Sequence, residues 1–261
     1  MKGTILRLTL AQRIQHVILF TSFFILMVTG LPLFFPENPV VKRIFFFSAS
    51  FQIRGIIHRF GAVLLIGLCV YHVAYCLFTR RGHEDLKAML LRKKDLKDGI
   101  ELFLYNIGMR ADKPRFGKFN FKEKFEYWAV VWGSVIMIIT GLMQWYAEAA
   151  MIIFPKWILD MARIIHGYEA LLAFLSIVIW HFYNVHLNPS VFPMSKVWVT
   201  GKISLKELEE NHPIWYEELV ARGEIIPAER DEAGGPVHEA PPGEGGFGRD
   251  REGKRDDRKT P

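Results

Sequence analysis

The stretch IIHRFGAVLLIGLCVYHVAYCLF, residues 56–78, decides the fold. It carries no charge between Arg59 and Arg80, yet it holds His58 and His72 fourteen residues apart. A second stretch, IIHGYEALLAFLSIVIWHFYNVHL at 164–187, repeats the pattern with His166 and His181 fifteen apart. Segments this apolar read as membrane spans, because a bilayer core needs about 20 apolar residues of helix. Four uncharged runs, 14–36, 60–79, 127–147 and 170–195, reach or approach that length. A soluble helix as long would show a polar stripe. The first run exceeds a signal-peptide core and lacks a small-residue cleavage site, so it is expected to stay as a span. The expected fold class is all-α: an integral membrane four-helix bundle with spans at about 14–36, 56–79, 127–147 and 164–188.

Charge sets the expected orientation. The chain has 261 residues, a formal net charge of +6 and a pI near 9.3. The loop at 80–124 holds thirteen Lys and Arg, and Lys2, Arg7 and Arg13 precede the first span. The other two loops hold only Lys42, Arg43, Arg54, Arg59, Lys156 and Arg163. The positive-inside rule then places both termini and the middle loop in the cytoplasm. Such a basic balance suits an anionic lipid surface rather than nucleic acid. Cys69 and Cys76 lie inside the second span and form no extracellular disulfide framework. No Cys-x-x-Cys-His occurs, which excludes covalently attached c-type haem. Both cysteines read as small apolar packing residues.

An internal duplication organises the chain. MVTGLPLFF ending the first span matches IITGLMQWY ending the third, and IIHRFGAVL matches IIHGYEALL at the entries to the second and fourth. Two pseudo-repeated helical hairpins follow. Thirteen residues before the two Thr-Gly pairs stand His16 in one half and Tyr127 in the other, so the repeat breaks there. The membrane domain is expected over 1–222. It includes an amphipathic cytoplasmic loop at 80–125 and a soluble helix at about 204–222. Residues 223–261, rich in Gly, Pro and charge, read as a disordered tail.

Helical geometry gives the histidines a purpose. A helix turns about 100° and rises about 1.5 Å per residue, so His58 and His72 lie about 40° apart on one face and about 21 Å apart along it. His166 and His181 lie about 60° apart with a similar rise. Two helices that each present two stacked imidazoles can hold two flat macrocycles, one near each membrane surface. Haem iron accepts imidazole axially. Two histidines fill both axial positions and leave none for oxygen or substrate, which is electron-transfer chemistry. A lone intramembrane histidine is more often a polar contact between helices or a proton-relay member. Four at matching depths in a duplicated frame favour haem. The periplasmic-side haem is expected on His58 and His166. The cytoplasmic-side haem is expected on His181 with either His16 or His72. His186 stands about 140° round from His181 and is left out. His83, His212 and His238 read as solvated.

The strings LTLAQRIQHVILFTSFFILMVTGLPLFF, IHRFGAVLLIGLCVYH, GKFNFKEKFEYW and NHPIWYEEL together resemble the cytochrome b (gamma) subunit of membrane-bound formate dehydrogenases. They look even more like the related dihaem cytochrome b/b6-domain proteins of anaerobic respiratory complexes, which work with multihaem c cytochromes. The resemblance covers nearly everything from Arg7 to Leu219. It implies two non-covalent b-type haems and four spans with both termini cytoplasmic. It also implies a quinone site beside the cytoplasmic-side haem. By motif, His16 and His181 match the ligands of that haem, and His58 and His166 those of the other. Asn120, in GKFN, matches an asparagine at the quinone site. The chain departs from the pattern in its fifteen-residue spacing and in carrying His72, which stays the alternative to His16. A similar fourteen-and-fifteen spacing occurs in the cytochrome b of quinol–cytochrome c oxidoreductases.

These readings predict a membrane dihaem cytochrome b, an electron-transfer subunit working between menaquinone or ubiquinone and a periplasmic partner. The partner is a multihaem c cytochrome or an iron–sulfur subunit. Two alternatives are the cytochrome b of a nickel–iron hydrogenase and a non-haem proton-coupled membrane protein. Arg54, Arg59 and Arg163 cluster at the periplasmic entries, where they can hold haem propionates or snorkel to the interface. Glu169, three residues after His166, can accept a ligand hydrogen bond or complement a helix dipole. Asn120 can serve a quinone or cap the third span, since Glu123 completes a capping box.

Overall fold

The computed structural model describes residues 3–45, 48–188 and 191–226. The chain opens with a short strand β1 (Thr4–Leu6) and the first long helix α1 (Leu10–Gly30), which runs on through a 3-10 turn to Phe34. A short α2 (Pro39–Phe45) leads into α3 (Ser48–Phe78), and α4 (Arg80–Met89) and α5 (Lys93–Asn106) follow. The second half repeats this plan with α6 (Phe121–Trp145), α7 (Ala147–Ile153) and α8 (Lys156–Leu175). The last of these continues as two π-helical stretches, Ser176–His181 and Tyr183–Leu187. The chain ends in α9 (Val197–Thr200), β2 (Lys202–Ser204), α10 (Leu205–Asn211) and α11 (Pro213–Ala221).

Four helices are long and apolar enough to cross a membrane: Leu10–Phe34, Gln52–Phe78, Phe121–Trp145 and Lys156–Leu187. The protein is an all-α membrane bundle. Each helix begins before its uncharged run, because a capping residue and not the first apolar residue starts a helix. Thr9 caps α1, with Gln12 completing a capping box, and Asn120 with Glu123 does the same for α6. The outward faces carry exposed Phe20, Phe24, Val63, Val70, Ile139, Leu172 and Ile179, as lipid requires. α1 packs closely on α3, and α6 on α8, giving two hairpins that touch each other lightly.

The two hairpins are joined at one end by a polar collar. β1 pairs antiparallel with β2, Ile5 opposite Ile203. Val197, Ile203, Leu208, Trp215, Tyr216, Leu219 and Ile225 form its apolar core. The expected helix at 204–222 is two helices, broken at Pro213, whose missing N–H suits a first turn. The expected tail lies, from 227 onward, outside the described residues. Arg7 ties the collar to α6 through Glu123 at 2.8 Å and the carbonyl of Lys118 at 3.0 Å. Asp85 on α4 accepts from Gln12 at 2.7 Å and pairs with Arg81 and Lys118. The buried pair Lys124–Asp95, 2.7 Å, locks α5 onto α6. α5 shows outward a row of exposed Leu96, Ile100, Phe103 and Ile107. That spacing is one helical face, the amphipathic element read from the loop.

Candidate functional site

The four long helices bring the histidines together in pairs. His58 of α3 and His166 of α8 have ring centroids 6.4 Å apart at the end away from the collar. His16 of α1 and His181 of the π-helical stretch are also 6.4 Å apart, beside the collar. Two imidazoles bound on opposite sides of one metal ion, each through a bond of about 2 Å, have centroids about 6.3 Å apart. Both pairs match that separation.

Hydrogen bonds set the ring tautomers. Thr29 donates its hydroxyl proton to the carbonyl of Ile25, 2.6 Å, and lies 2.8 Å from His58 Nδ1. Thr140 does the same with Ile136, 2.7 Å, and His166 Nδ1, 2.9 Å. Each hydroxyl has committed its proton to the helix backbone, so its oxygen accepts from an Nδ1–H. That leaves Nε2 of His58 and His166 with a lone pair for a metal. These are the threonines of the repeated Thr-Gly pairs. Their glycines give the rings room: a Cβ on Gly30 would stand 3.2 Å from His58 Cε1, and one on Gly141 would stand 3.1 Å from His166 Cε1, so each ring would have to give way slightly.

The collar-side pair is built differently. His181 Nδ1 lies 2.8 Å from Glu126 Oε2, and a carboxylate accepts, so Nδ1 carries the proton of this bond and Nε2 is the nitrogen left to face a metal. His16 packs beside Trp198, with centroids 5.9 Å apart. Arg13 Nε, Gln15 Nε2 and His16 Nδ1 are buried and find no hydrogen-bond partner among the described residues. Buried donors need acceptors, and a bound group carrying acceptor oxygens fits this end of α1.

His72 is occupied on both nitrogens. Nδ1 lies 2.7 Å from Gln15 Oε1, and Nε2 lies 3.0 Å from the Tyr127 hydroxyl. Cys76 Sγ is 3.5 Å from the same Nε2. The break in the duplication thus has a structural meaning. His72 sits against Tyr127 as His181 sits against His16, with ring centroids 5.8 Å apart.

The remaining expected residues fall around these pairs. Arg54 donates to the Thr29 carbonyl at 2.8 Å, one residue from the glycine beside His58. The Arg59 guanidinium stacks 5.4 Å over Trp145, and Arg163 is exposed on α8. Glu169 faces α6, where a Cβ on Gly133 would come within 2.8 Å of its Oε1. Asn120 caps α6: its Oδ1 accepts from Glu123 N–H at 3.0 Å, and Glu123 accepts from Asn120 N–H at 3.0 Å. Lys122 reaches from α6 to Asn184 on the end of α8, 3.2 Å. Burial pushes the Lys118 ammonium below its ordinary value, with Asp85 opposing the shift. His83 is exposed and His186 stacks on Phe182, while His212 is buried in the collar and bonded to the Gly117 carbonyl at 2.8 Å, not solvated. Residue 238 lies outside the described segments. Sequence reading passed over Thr29, Thr140 and Glu126 as functional residues. The Thr-Gly repeat was the available signal for the first two.

Residues 7–191 match the family described as prokaryotic cytochrome b561. Among curated proteins, the chain is similar to the cytochrome b556(Fdn) subunit of the nitrate-inducible formate dehydrogenase of Escherichia coli K12. The two are 24% identical over 215 residues, 82% of this chain and 91% of the relative. The formate dehydrogenase cytochrome b556 subunit of Haemophilus influenzae is 27% identical over 219 residues, 83% of this chain and 84% of the relative.

Proposed function

The chain belongs to the prokaryotic cytochrome b561 family, and on that footing we propose that it carries electrons between a quinone and a redox partner on the opposite membrane face. The family implies b-type haem, and with the four apolar helices it makes this a multi-pass prokaryotic membrane protein. Two haems would be held, one by His58 and His166 and one by His16 and His181. The two matching 6.4 Å ring separations carry this reading. Haem held by these residues would supply one-electron chemistry.

The chain's own residues do the rest. Thr29, Thr140 and Glu126 hold three of the four imidazoles with Nε2 free to coordinate. His72 is set aside, because its Nε2 lone pair takes the Tyr127 hydroxyl proton. Arg13 and Gln15 offer unpartnered donors to the acceptor oxygens of a group bound beside His16. At the other end Arg54, which donates to the Thr29 carbonyl near His58, stands with Arg59 and Arg163 at the same membrane surface, where guanidinium groups can meet carboxylates.

The quinone site lies at the collar-side mouth between the starts of α1 and α6 and the end of α8. Support comes from the contact between Lys122 and Asn184, which closes that mouth, and from Asn120 beside it. With its Oδ1 capping α6, Asn120 has its amide nitrogen to offer a quinone carbonyl. Lys118, whose proton is loosened by burial, stands on the same side for proton exchange. The excess of Lys and Arg there makes this side cytoplasmic. The redox partner then docks on the periplasmic side, as an iron–sulfur subunit or a multihaem c cytochrome, within an oxidoreductase complex. The relatives named as cytochrome b556 subunits of formate dehydrogenases support membership of such a complex.

The test is a reduced-minus-oxidised visible spectrum of the purified protein, with a menaquinol or ubiquinol analogue as the reductant. The expected result is b-type absorption bands that the quinol develops. Bands absent even with dithionite would overturn the haem reading. Bands that dithionite develops but no quinol does would overturn the quinone reading alone.

A further inference from the structure

The two histidine pairs are alike in ring separation and unlike in what their outer nitrogens meet. His58 and His166 each donate to a neutral threonine hydroxyl, at 2.8 and 2.9 Å. In the other pair His181 donates to the carboxylate of Glu126 at 2.8 Å, and His16 Nδ1 has no hydrogen-bond partner among the described residues. The asymmetry is written into the duplication. Glu126 immediately precedes Tyr127, the residue standing where the other half has His16.

We infer that Glu126 is a positioning residue that lowers the reduction potential of the haem held by His16 and His181 relative to the haem held by His58 and His166. The inference rests on the reading that both pairs ligate haem. A carboxylate draws the Nδ1 proton toward itself more strongly than a hydroxyl does, because charge-assisted hydrogen bonds are the stronger ones. The imidazole becomes more electron-rich and a better donor through Nε2. The oxidised site also carries one more positive charge than the reduced site, so a nearby anion favours the oxidised form. Both partners are partly shielded from solvent, Glu126 at 24% and His181 at 32% side-chain exposure, so the charge is incompletely screened. Lys122 stands one turn earlier on the same helical face and offsets part of the charge. It is itself engaged with Asn184 Oδ1 at 3.2 Å. At the threonine sites no comparable anion among the described residues touches a ring nitrogen; each hydroxyl oxygen is neutral and its proton already bonds a carbonyl.

The experiment is an optical redox titration of the purified full chain, native and with Glu126→Gln or Glu126→Thr. The second variant gives His181 the kind of partner His58 has. A His58→Ala variant, keeping only the collar-side haem, assigns the two transitions. In both Glu126 variants the collar-side midpoint is expected to rise by at least a tenfold change in its reduction equilibrium, about 59 mV for one electron. The other midpoint stays in place, and two haems per chain are retained. Unchanged midpoints with both haems present would overturn the inference and leave the ligand assignment standing. Loss of the collar-side haem from both variants would also overturn it, making Glu126 part of what retains the haem rather than what tunes it. A native protein without haem would overturn the underlying reading instead.

Discussion

Thr29 and Thr140 show how little chemistry is needed to fix the tautomer of an imidazole. Each hydroxyl is anchored to the carbonyl four residues back in its own helix, and the oxygen can then only accept. Thr29→Val keeps the shape and removes the acceptor. It should weaken haem retention at His58–His166 by about 10-fold to 100-fold, the usual cost of losing an outer-shell partner. Thr29→Ser should restore it. Competition with apomyoglobin for haem, read optically, checks both variants. At this scale the sequence was partly legible. Helical spacing singled out His58, His72, His166 and His181, while His16 came from the break in the repeat. It could not decide between His16 and His72, because that depends on which ring Tyr127 and Gln15 reach, a matter of packing among α1, α3 and α6. Glu126 was missed for a related reason. A carboxylate near the start of a span looks like an interfacial charge until its partner across the bundle is seen.

Along single elements, the sequence located the spans but not their irregularities. The fifteen-residue spacing of His166 and His181, against fourteen in α3, was the one trace of the π-helical stretch. A π turn holds one residue more than an α turn, so the stretch absorbs the extra residue. The N-terminus of α6 was written as a capping box, and the box is formed. Asn120 also carries the proposed quinone contact, and two substitutions separate its roles. Asn120→Ala removes the cap and should cost about 1 kcal/mol of stability. Asn120→Asp retains the cap, so its thermal midpoint in detergent should stay near native. Under the quinone proposal its quinol-linked turnover falls while both haems remain. Native turnover and unchanged inhibition by quinone analogues in Asn120→Asp would move the site elsewhere.

Over the whole molecule, composition alone identified a four-helix membrane protein, because a bilayer leaves few alternatives for such long apolar runs. The collar was not legible. Its sheet joins residues 4–6 to 202–204, a pairing that three-residue strands cannot signal locally. The collar also carries a pH dependence. Burial, with the Arg7 charge beside it, holds the His212 imidazole below its ordinary value. The unfolded chain therefore binds that proton first as pH falls. Stability is fully present above about pH 6.5 and declines as pH drops from there toward the depressed folded value. Burial raises the Glu207 carboxyl, which acts in the opposite sense but within the carboxylate range. The unfolding midpoint in detergent should fall between pH 7 and pH 5.5, and His212→Gln should flatten that fall.

The central claim is that two histidine pairs, one at each end of the bundle, each hold one haem. Haem content per chain, measured as the pyridine haemochromogen for the native protein and for His58→Ala, His16→Ala and His72→Ala, tests it most directly. The expected contents are two, one, one and two. Retention of two haems in His16→Ala with loss of one in His72→Ala would contradict the pairing, and a single haem in the native protein would contradict the claim itself.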